Sequence, residues 1–289
     1  MLVALILKSL VLILTLLHSG WLILSAYQNK QILSLTNKVK LALGSIIAFL
    51  ADTIGIGSFA INIAFAKAFK LLPTAKLPGF VNSAQVLPGT IQAFIFMTMI
   101  DVDLVTLITL AVAASLGGIF GALFVSKINV IFLKKTMMVC FIGMILLLIA
   151  SESGLIHISG NALGLSGYKL AVSAFFMGIA GALTAVCVGL YATSQAILFI
   201  AGISPLAAFP IMMAAGALQQ PLLAMTFLAK DKVPTKETLI VTLFGLIGIA
   251  IGLPLITSVS IHFLHTLLIS VLIYNIVSIG ASLKTKGPQ

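Results

Sequence analysis

The sequence predicts an all-α polytopic membrane protein, an inverted repeat with broken or re-entrant helices, having about seven full spans and two re-entrant hairpins; roughly eight or nine plain spans is the alternative. Three observations carry this. The 289-residue chain is 61% apolar and 8% charged, with mean hydropathy +1.26. That is too little charge to clothe a water-soluble domain of this length, and many separate apolar runs approach the length of a bilayer span. Second, the hydrophobic stretch from Leu41 to Ala66 is interrupted by Ala51-Asp52-Thr53-Ile54-Gly55-Ile56-Gly57-Ser58, which sets an acid and two glycines inside span-like sequence. Backbone broken in this way is tolerated at membrane depth where it lines a polar cavity. Third, the interruption recurs: a shift of 132 places Gly57 on Gly189, Ala60 on Ala192 and Pro78 on Pro210. The glycine break, the proline about twenty residues later and the apolar span after it return together, as in a diverged internal duplication.

All sixteen basic residues are lysines; against six acids they give a net charge of +10. They sit mainly at the ends of apolar runs, where they orient a chain in the bilayer. The absence of arginine removes the usual bidentate clamp for phosphates and base edges, so no nucleic-acid partner is expected. Cys140 and Cys187 lie in apolar runs without CxxC or metal-site spacing and read as small buried hydrophobes. His18, His157, His262 and His265 are not gathered by the sequence, so no metal and no cofactor is expected. An integral-membrane enzyme is the least favoured class, and no catalytic residue is assigned.

Taken in order, residues 1–27 form an apolar run ending in Trp21 and Tyr27, with Lys8 able to snorkel to the outer interface. A signal peptide cleaved after Ala26 has a similar composition. The lysines, however, follow the run at Lys30, Lys38 and Lys40, so a retained span entering the cytoplasm is expected. Segments 41–53 and 58–70 are each about 20 Å long as helices, too short to span singly and suited to two half-membrane pieces. A full crossing there would turn Lys67, Lys70, Lys76 and the Lys127–Lys135 group outward and Asp101 and Asp103 inward. A re-entrant hairpin reverses both, which is the arrangement the positive-inside bias favours.

After Pro78-Gly79, spans are expected at about 80–100 and 104–126, joined by Asp101-Val102-Asp103, and at about 136–150 beyond Lys127, Lys134 and Lys135. Residues 151–167 form a Gly/Ser/Asn-rich external loop with Glu152 and His157. Lys169 opens the second broken unit, 170–202, which contains Gly178, Gly181 and Gly189. Spans at about 209–229, 239–256 and 261–281 complete the chain, with Lys230, Lys232, Lys236, Lys284 and Lys286 inside. The expected units are an extra span and cytoplasmic loop at 1–40, a first repeat at 41–150, an external linker at 151–168 and a second repeat at 169–289. An odd number of spans per repeat inverts the second relative to the first. The N terminus is then outside and the C terminus cytoplasmic, in a multi-pass protein of a bacterial-type plasma membrane.

Inverted repeats bring two such breaks together near the bilayer midplane. The half-helix starting near Ser58, and its counterpart near residues 192–194, would present free N–H groups and positive dipole ends to an anion. Candidate substrate or coupling residues are Asp52, Thr53, Gly55, Gly57, Ser58, Asn62, Asn82 and Gln85 in the first half. In the second they are Gly189, Tyr191, Thr193, Ser194, Gln195, Gln219 and Gln220. Asp52 has two readings, a carrier of a coupling proton or cation, and a cap on the broken helix. The amides and hydroxyls equally suit interhelical hydrogen bonding, and Pro88 and Pro221 suit kinks.

The stretches Asp52-Thr53-Ile54-Gly55-Ile56-Gly57-Ser58-Phe59-Ala60 and Leu77-Pro78-Gly79-Phe80-Val81-Asn82 resemble the sulfite exporter TauE/SafE family of membrane permeases. So do Gly189-Leu190-Tyr191, Gly202-Ile203-Ser204-Pro205 and Ala208-Phe209-Pro210-Ile211-Met212-Met213 in the second half. The similarity runs from about residue 41 onward, although the glycine signature here has fewer consecutive glycines than the family pattern. The resemblance implies export of small sulfur-containing or organosulfonate anions, with the glycine breaks and adjacent polar residues contacting substrate.

The resulting expectation is a secondary transporter, an exporter of a small anion such as sulfite, an organosulfonate or a related carboxylate, working by alternating access with a proton as the candidate coupling ion. A passive anion channel or facilitator through the same pore is the alternative. The expected partners are the small anionic solute and the lipid bilayer.

Overall fold

The computed structural model describes residues 2–54, 57–96, 102–154, 160–255 and 261–284. Gly55, Asp101, His157 and Lys286 lie outside these residues, as does the side chain of His262. Among the described residues eleven α-helices follow one another: α1 (Leu2–Gln28), α2 (Leu35–Thr53), α3 (Ser58–Ala68), α4 (Leu77–Phe96), α5 (Leu104–Val125), α6 (Val130–Glu152), α7 (Gly167–Thr184), α8 (Leu190–Ile200), α9 (Pro205–Ala229), α10 (Thr235–Gly252) and α11 (Ile261–Lys284). No named strand occurs among the described residues; one isolated bridge joins Ala162 to Ile203.

Seven of the helices, α1, α5, α6, α7, α9, α10 and α11, are long and apolar enough to cross a membrane. Their outward faces carry large bare hydrophobics such as Leu16, Phe120, Phe124, Val139 and Phe175. Water penalises such a surface, whereas hydrocarbon does not. The chain is an all-α polytopic membrane protein in contact with lipid.

The breaks turn the chain back. A Cβ added to Gly44 of α2 would lie 2.8 Å from the Phe65 ring of α3, while the Asp52 carboxylate accepts the Ser58 N–H. Early α2 thus meets late α3, and late α2 meets early α3, so the pair runs antiparallel. Lys40 near the start of α2 places its ammonium 4.9 Å from the Phe69 ring just past α3. The second hairpin closes in the same way: Ala162, ahead of α7, accepts the Ser204 N–H at 2.9 Å, and the Ala162 N–H donates to Gly202, beyond α8, at 3.3 Å.

The offset read in the sequence reappears in the helices. The starts of α2 and α7 (35 and 167) and of α3 and α8 (58 and 190) are both 132 residues apart, and α3 and α8 are each 11 residues long. Packing is crosswise. Ser45 of α2 donates to the Val241 carbonyl of α10, and Phe49 fits against Gly245. A Cβ on Gly248 would stand 2.4 Å from the Ile46 carbonyl oxygen. In the partner pair, a Cβ on Gly117 of α5 would stand 1.8 Å from the Gly178 oxygen of α7, and one on Gly181 would stand 2.1 Å from the Ala114 oxygen. Small residues let backbones approach where no hydrophobic force draws helices together in lipid, so contact and dispersion hold these interfaces. The α4 and α9 helices pack against each other, and α6 packs on α11.

One end of the bundle collects Lys76, Lys134 and Lys236. Lys236 donates to the Gln31 carbonyl at 2.7 Å, Lys76 to that of Asp231, and Lys134 to that of Ser282 at 3.1 Å. The opposite end holds Asp103, whose N–H donates to the Leu163 carbonyl, and a short contact of 2.5 Å between His265 and Glu152.

Several boundaries depart from the expected ones. The first break does not divide two equal half-membrane pieces: α2 starts at Leu35, capped by Ser34, and has 19 residues against 11 in α3. Local capping chemistry extends the helix through Lys38 and Lys40, which hydropathy had assigned to a loop. Likewise Asn129 caps α6, drawing Lys134 and Lys135 into its first turns. The long apolar helices among the described residues also include α7, expected within a hairpin; the span expected at about 80–100 runs into residues outside those described, and α4 covers it as far as Phe96.

Candidate functional site

At the first break, α2 ends with the Thr53 hydroxyl turned back onto the Phe49 carbonyl at 2.7 Å. Gly57 then takes φ +87°, a backbone region that disfavours side chains, and starts α3 with no side-chain cap of its own. The cap comes from across the break: Asp52 Oδ1 accepts the Ser58 N–H at 2.7 Å. Asp52 Oδ2 accepts the Gln85 amide at 3.0 Å, and the Gln85 carbonyl oxygen accepts the Ser58 hydroxyl. The three residues close a ring of hydrogen bonds in which a carboxylate faces the positive end of α3. Gln92, seven residues further along α4, donates to Thr53 at 3.1 Å.

The second break is built differently. Beyond α7 the chain unwinds through successive turns at Ala185, Val186 and Cys187, with Cys187 at φ +72°. Gly189 precedes α8 with φ −60° and offers no side-chain cap, and no acid stands where Asp52 stands in the first copy. Amides of the central helices reach the carbonyls around these turns: Thr184 already accepts the Cys187 N–H, whereas Gly181 has lost its helical donor to Ala182. Asn82 donates to Thr184 at 3.0 Å and Gln219 to Gly181 at 2.9 Å, while Gln220 donates to the Asn82 side-chain oxygen at 2.8 Å. Burying such groups unpaired would cost several kcal/mol each in hydrocarbon, roughly, so these contacts make the break tenable.

Both breaks open onto one cavity of about 360 Å³. It is walled by Asp52, Thr53, Gly57 and Ser58 from the first break, by Cys187, Gly189 and Tyr191 from the second, and by Gln85, Gln92 and Gln220 from the central helices. The remaining wall is largely apolar, from Phe141 and Met144 of α6, Phe209, Met212 and Met213 of α9, and Leu268 and Leu272 of α11. Among the described lining residues Asp52 is the one Asp, Glu, Lys, Arg or His. Tyr191 stacks edge-on against Phe209, ring centroids 6.3 Å apart, at this wall.

Of the residues singled out in the sequence, Asp52, Thr53, Gly57, Ser58, Gln85, Gly189, Tyr191 and Gln220 come together here. Asn62, Asn82, Thr193, Ser194, Gln195 and Gln219 do not line the cavity. Thr193 and Ser194 turn their hydroxyls onto carbonyls of their own helix, Ser194 reaching Leu190 at 2.6 Å, and so add no contact to the cavity. Gln92 and Thr90 were missed. The signal for Gln92 was present, since Gln85, Gly89 and Gln92 follow an i, i+4, i+7 spacing on one face of α4. Thr90 bonds Thr15 of α1 at 2.8 Å, and His18 bonds Ser83 at 3.1 Å, so His18 packs within the α1–α4 seam. Cys187 also belongs to the wall, whereas Cys140 does not.

Fold and site together define a polytopic α-helical membrane protein with a mid-bundle cavity between two broken helical hairpins. Comparison with protein-family models, curated proteins and solved structures returns no match.

Proposed function

We propose that the protein is a secondary transporter, an exporter of a small anion by alternating access, with the lysine-rich end cytoplasmic in a bacterial-type plasma membrane. The observation that carries this reading is the convergence of both helix breaks on one cavity. In transporters, broken helices present half-helix amino ends to anionic substrate near the midplane. Here the two ends are unequal. Asp52 already occupies the amino end of α3, while that of α8 carries no side-chain cap.

A substrate anion accordingly sits against the start of α8, gaining about 1 to 2 kcal/mol from that helix end in partly buried geometry. Asp52 is the coupling group. Protonation removes its charge from α3, weakens its hold on the Ser58 N–H and Gln85 amide, and lets those donors turn to the substrate. Proton and anion then share one amide-rich site. The paired glycine interfaces of α2 with α10 and α5 with α7 supply smooth surfaces on which one half rocks against the other. The TauE/SafE resemblance points to the same activity from the residues around Gly57 and Gly189.

The test is counterflow in proteoliposomes with labelled small anions at several imposed proton gradients. Saturable exchange, with accumulation driven by the gradient, is expected. Flux that never saturates and never runs uphill would make the protein a passive facilitator, and exchange of a neutral solute but of no anion would remove the substrate class.

A further inference from the structure

The proposed transport site combines a compact polar cluster with a much larger apolar wall, and that division bears on what it holds. The polar cluster is hydrogen-bonded within itself: Asp52, Ser58 and Gln85 form a ring, and Gln92 joins it through Thr53. The opposite contribution, from α6, α9 and α11, comprises Phe141, Met144, Met212, Met213, Leu268 and Leu272. Phe141, Leu268 and Leu272 belong to one packed apolar cluster with Phe59, and Met212 belongs to a second, so two apolar clusters meet the cavity on this side.

Charge limits the occupant further. No lysine, arginine or histidine lines the cavity among the described residues, and its one acidic residue is Asp52. A helix amino end supplies about half a unit of positive charge and a side-chain amide only a dipole, while the penalty for moving an ion out of water rises with the square of its charge. A doubly charged oxyanion is therefore poorly matched. Size points the same way: about 360 Å³ lies in the range of pockets that enclose organic ligands, and a three-oxygen inorganic anion would leave most of it against apolar walls.

Resting on the transport reading above, we propose that the substrate is a singly charged organic anion with an apolar body, a sulfonate or carboxylate carrying a hydrocarbon group of roughly five to eight carbons, rather than sulfite or another inorganic oxyanion. The anionic head lies against the α8 amino end and the amide cluster, and the hydrocarbon body lies between Leu272 of α11 and Met213 of α9. The apolar wall contributes affinity in proportion to the carbon buried, and the polar pole fixes orientation.

Linear sulfonates are suitable probes because they stay ionised and do not leak through bilayers as neutral acids. Proteoliposomes are loaded with labelled butanesulfonate, and competition for exchange is measured with methane-, butane- and hexanesulfonate, sulfite and hexanol. Half-inhibiting concentrations are expected to fall by up to about fourfold per added methylene, with sulfite and hexanol both weaker than hexanesulfonate. Met213→Gln, at a half-buried wall position, is expected to flatten the chain-length dependence, weakening hexanesulfonate competition more than methanesulfonate competition. Equal competition by methane- and hexanesulfonate, or stronger competition by sulfite, would overturn the apolar-body assignment and leave anion transport standing. Equal competition by hexanol would overturn the need for a charged head. If folded, monodisperse protein exchanges neither a sulfonate nor sulfite, the transport reading falls with it.

Discussion

Asp52 accepts the backbone N–H of Ser58, six positions further along the chain, at 2.7 Å, so the acid of one half-helix caps the start of the next. The contact joins the two sequence readings of Asp52. Its cap role is visible in the geometry, and a proton-carrying role would operate by making and breaking that same cap.

Asp52→Asn keeps an acceptor for Ser58 and removes the titratable proton. The variant is expected to fold with a melting temperature close to that of the parent and to lose the pH dependence of anion counterflow. A pH profile superimposable on the parent's would show that Asp52 only holds the break.

Gln85 bonds both Asp52 and Ser58, so Gln85→Leu leaves two buried polar groups without their partner. A loss of about 1 to 3 kcal/mol in stability is expected, together with weaker substrate competition. Gln220→Leu should cost a similar amount by stranding Asn82, and chemical-denaturation midpoints in detergent measure both.

The glycine interfaces are tested by adding one methyl group. Gly117→Ala, whose Cβ would stand 1.8 Å from the Gly178 oxygen, is expected to cost about 1 to 3 kcal/mol, read as a lower melting temperature. Gly143→Ala meets nothing within 4 Å and should be neutral or slightly stabilising.

Topology is read by cysteine labelling from either side of sealed vesicles. Ile32→Cys and Lys70→Cys are expected to label from the same side, because Lys40 and Phe69 bring the two ends of the first hairpin together. Leu163→Cys should label from the other. Opposite labelling of positions 32 and 70 would mean a full crossing.

Asp103 caps α5, and the Thr106 hydroxyl and N–H hold its carboxyl below the usual carboxylate range. A lowered folded-state value means the contribution is present above the unfolded-state value and is lost as pH falls through the folded one. Thr106→Val should therefore narrow the gap in melting temperature between neutral and strongly acidic buffer. The Leu165 N–H, which donates to the Thr106 hydroxyl at 2.7 Å, loses its partner as well.

Much of the fold was legible because it rests on local properties. Span-like composition, the glycine break near Gly57 and its return near Gly189 are written in runs of adjacent residues. The helix starts were less legible, since Ser34 and Asn129 cap helices that run through lysines. At the site, Asp52, Ser58 and Gln85 could be selected as polar groups in apolar surroundings, but their ring could not, because Gln85 reaches the break from 33 residues away.

By itself the sequence determined that this chain lives in a bilayer, that two of its helical segments are broken, and where the breaks fall. Hydropathy and backbone propensity act over a few residues and need no partner. Only the tertiary structure decided which polar groups serve the cavity and which serve the backbone. Gln219 serves the Gly181 carbonyl that unwinding leaves without a helical donor, Asn82 adds a bond to the Thr184 carbonyl, Thr193 and Ser194 bond within α8, and Gln92 faces the break that Asn62 does not. Those outcomes follow from the crosswise packing of α2 on α10 and α7 on α5, which fixes the rotation of every helix around the cavity, and a rotation is set by contacts between segments far apart in the chain.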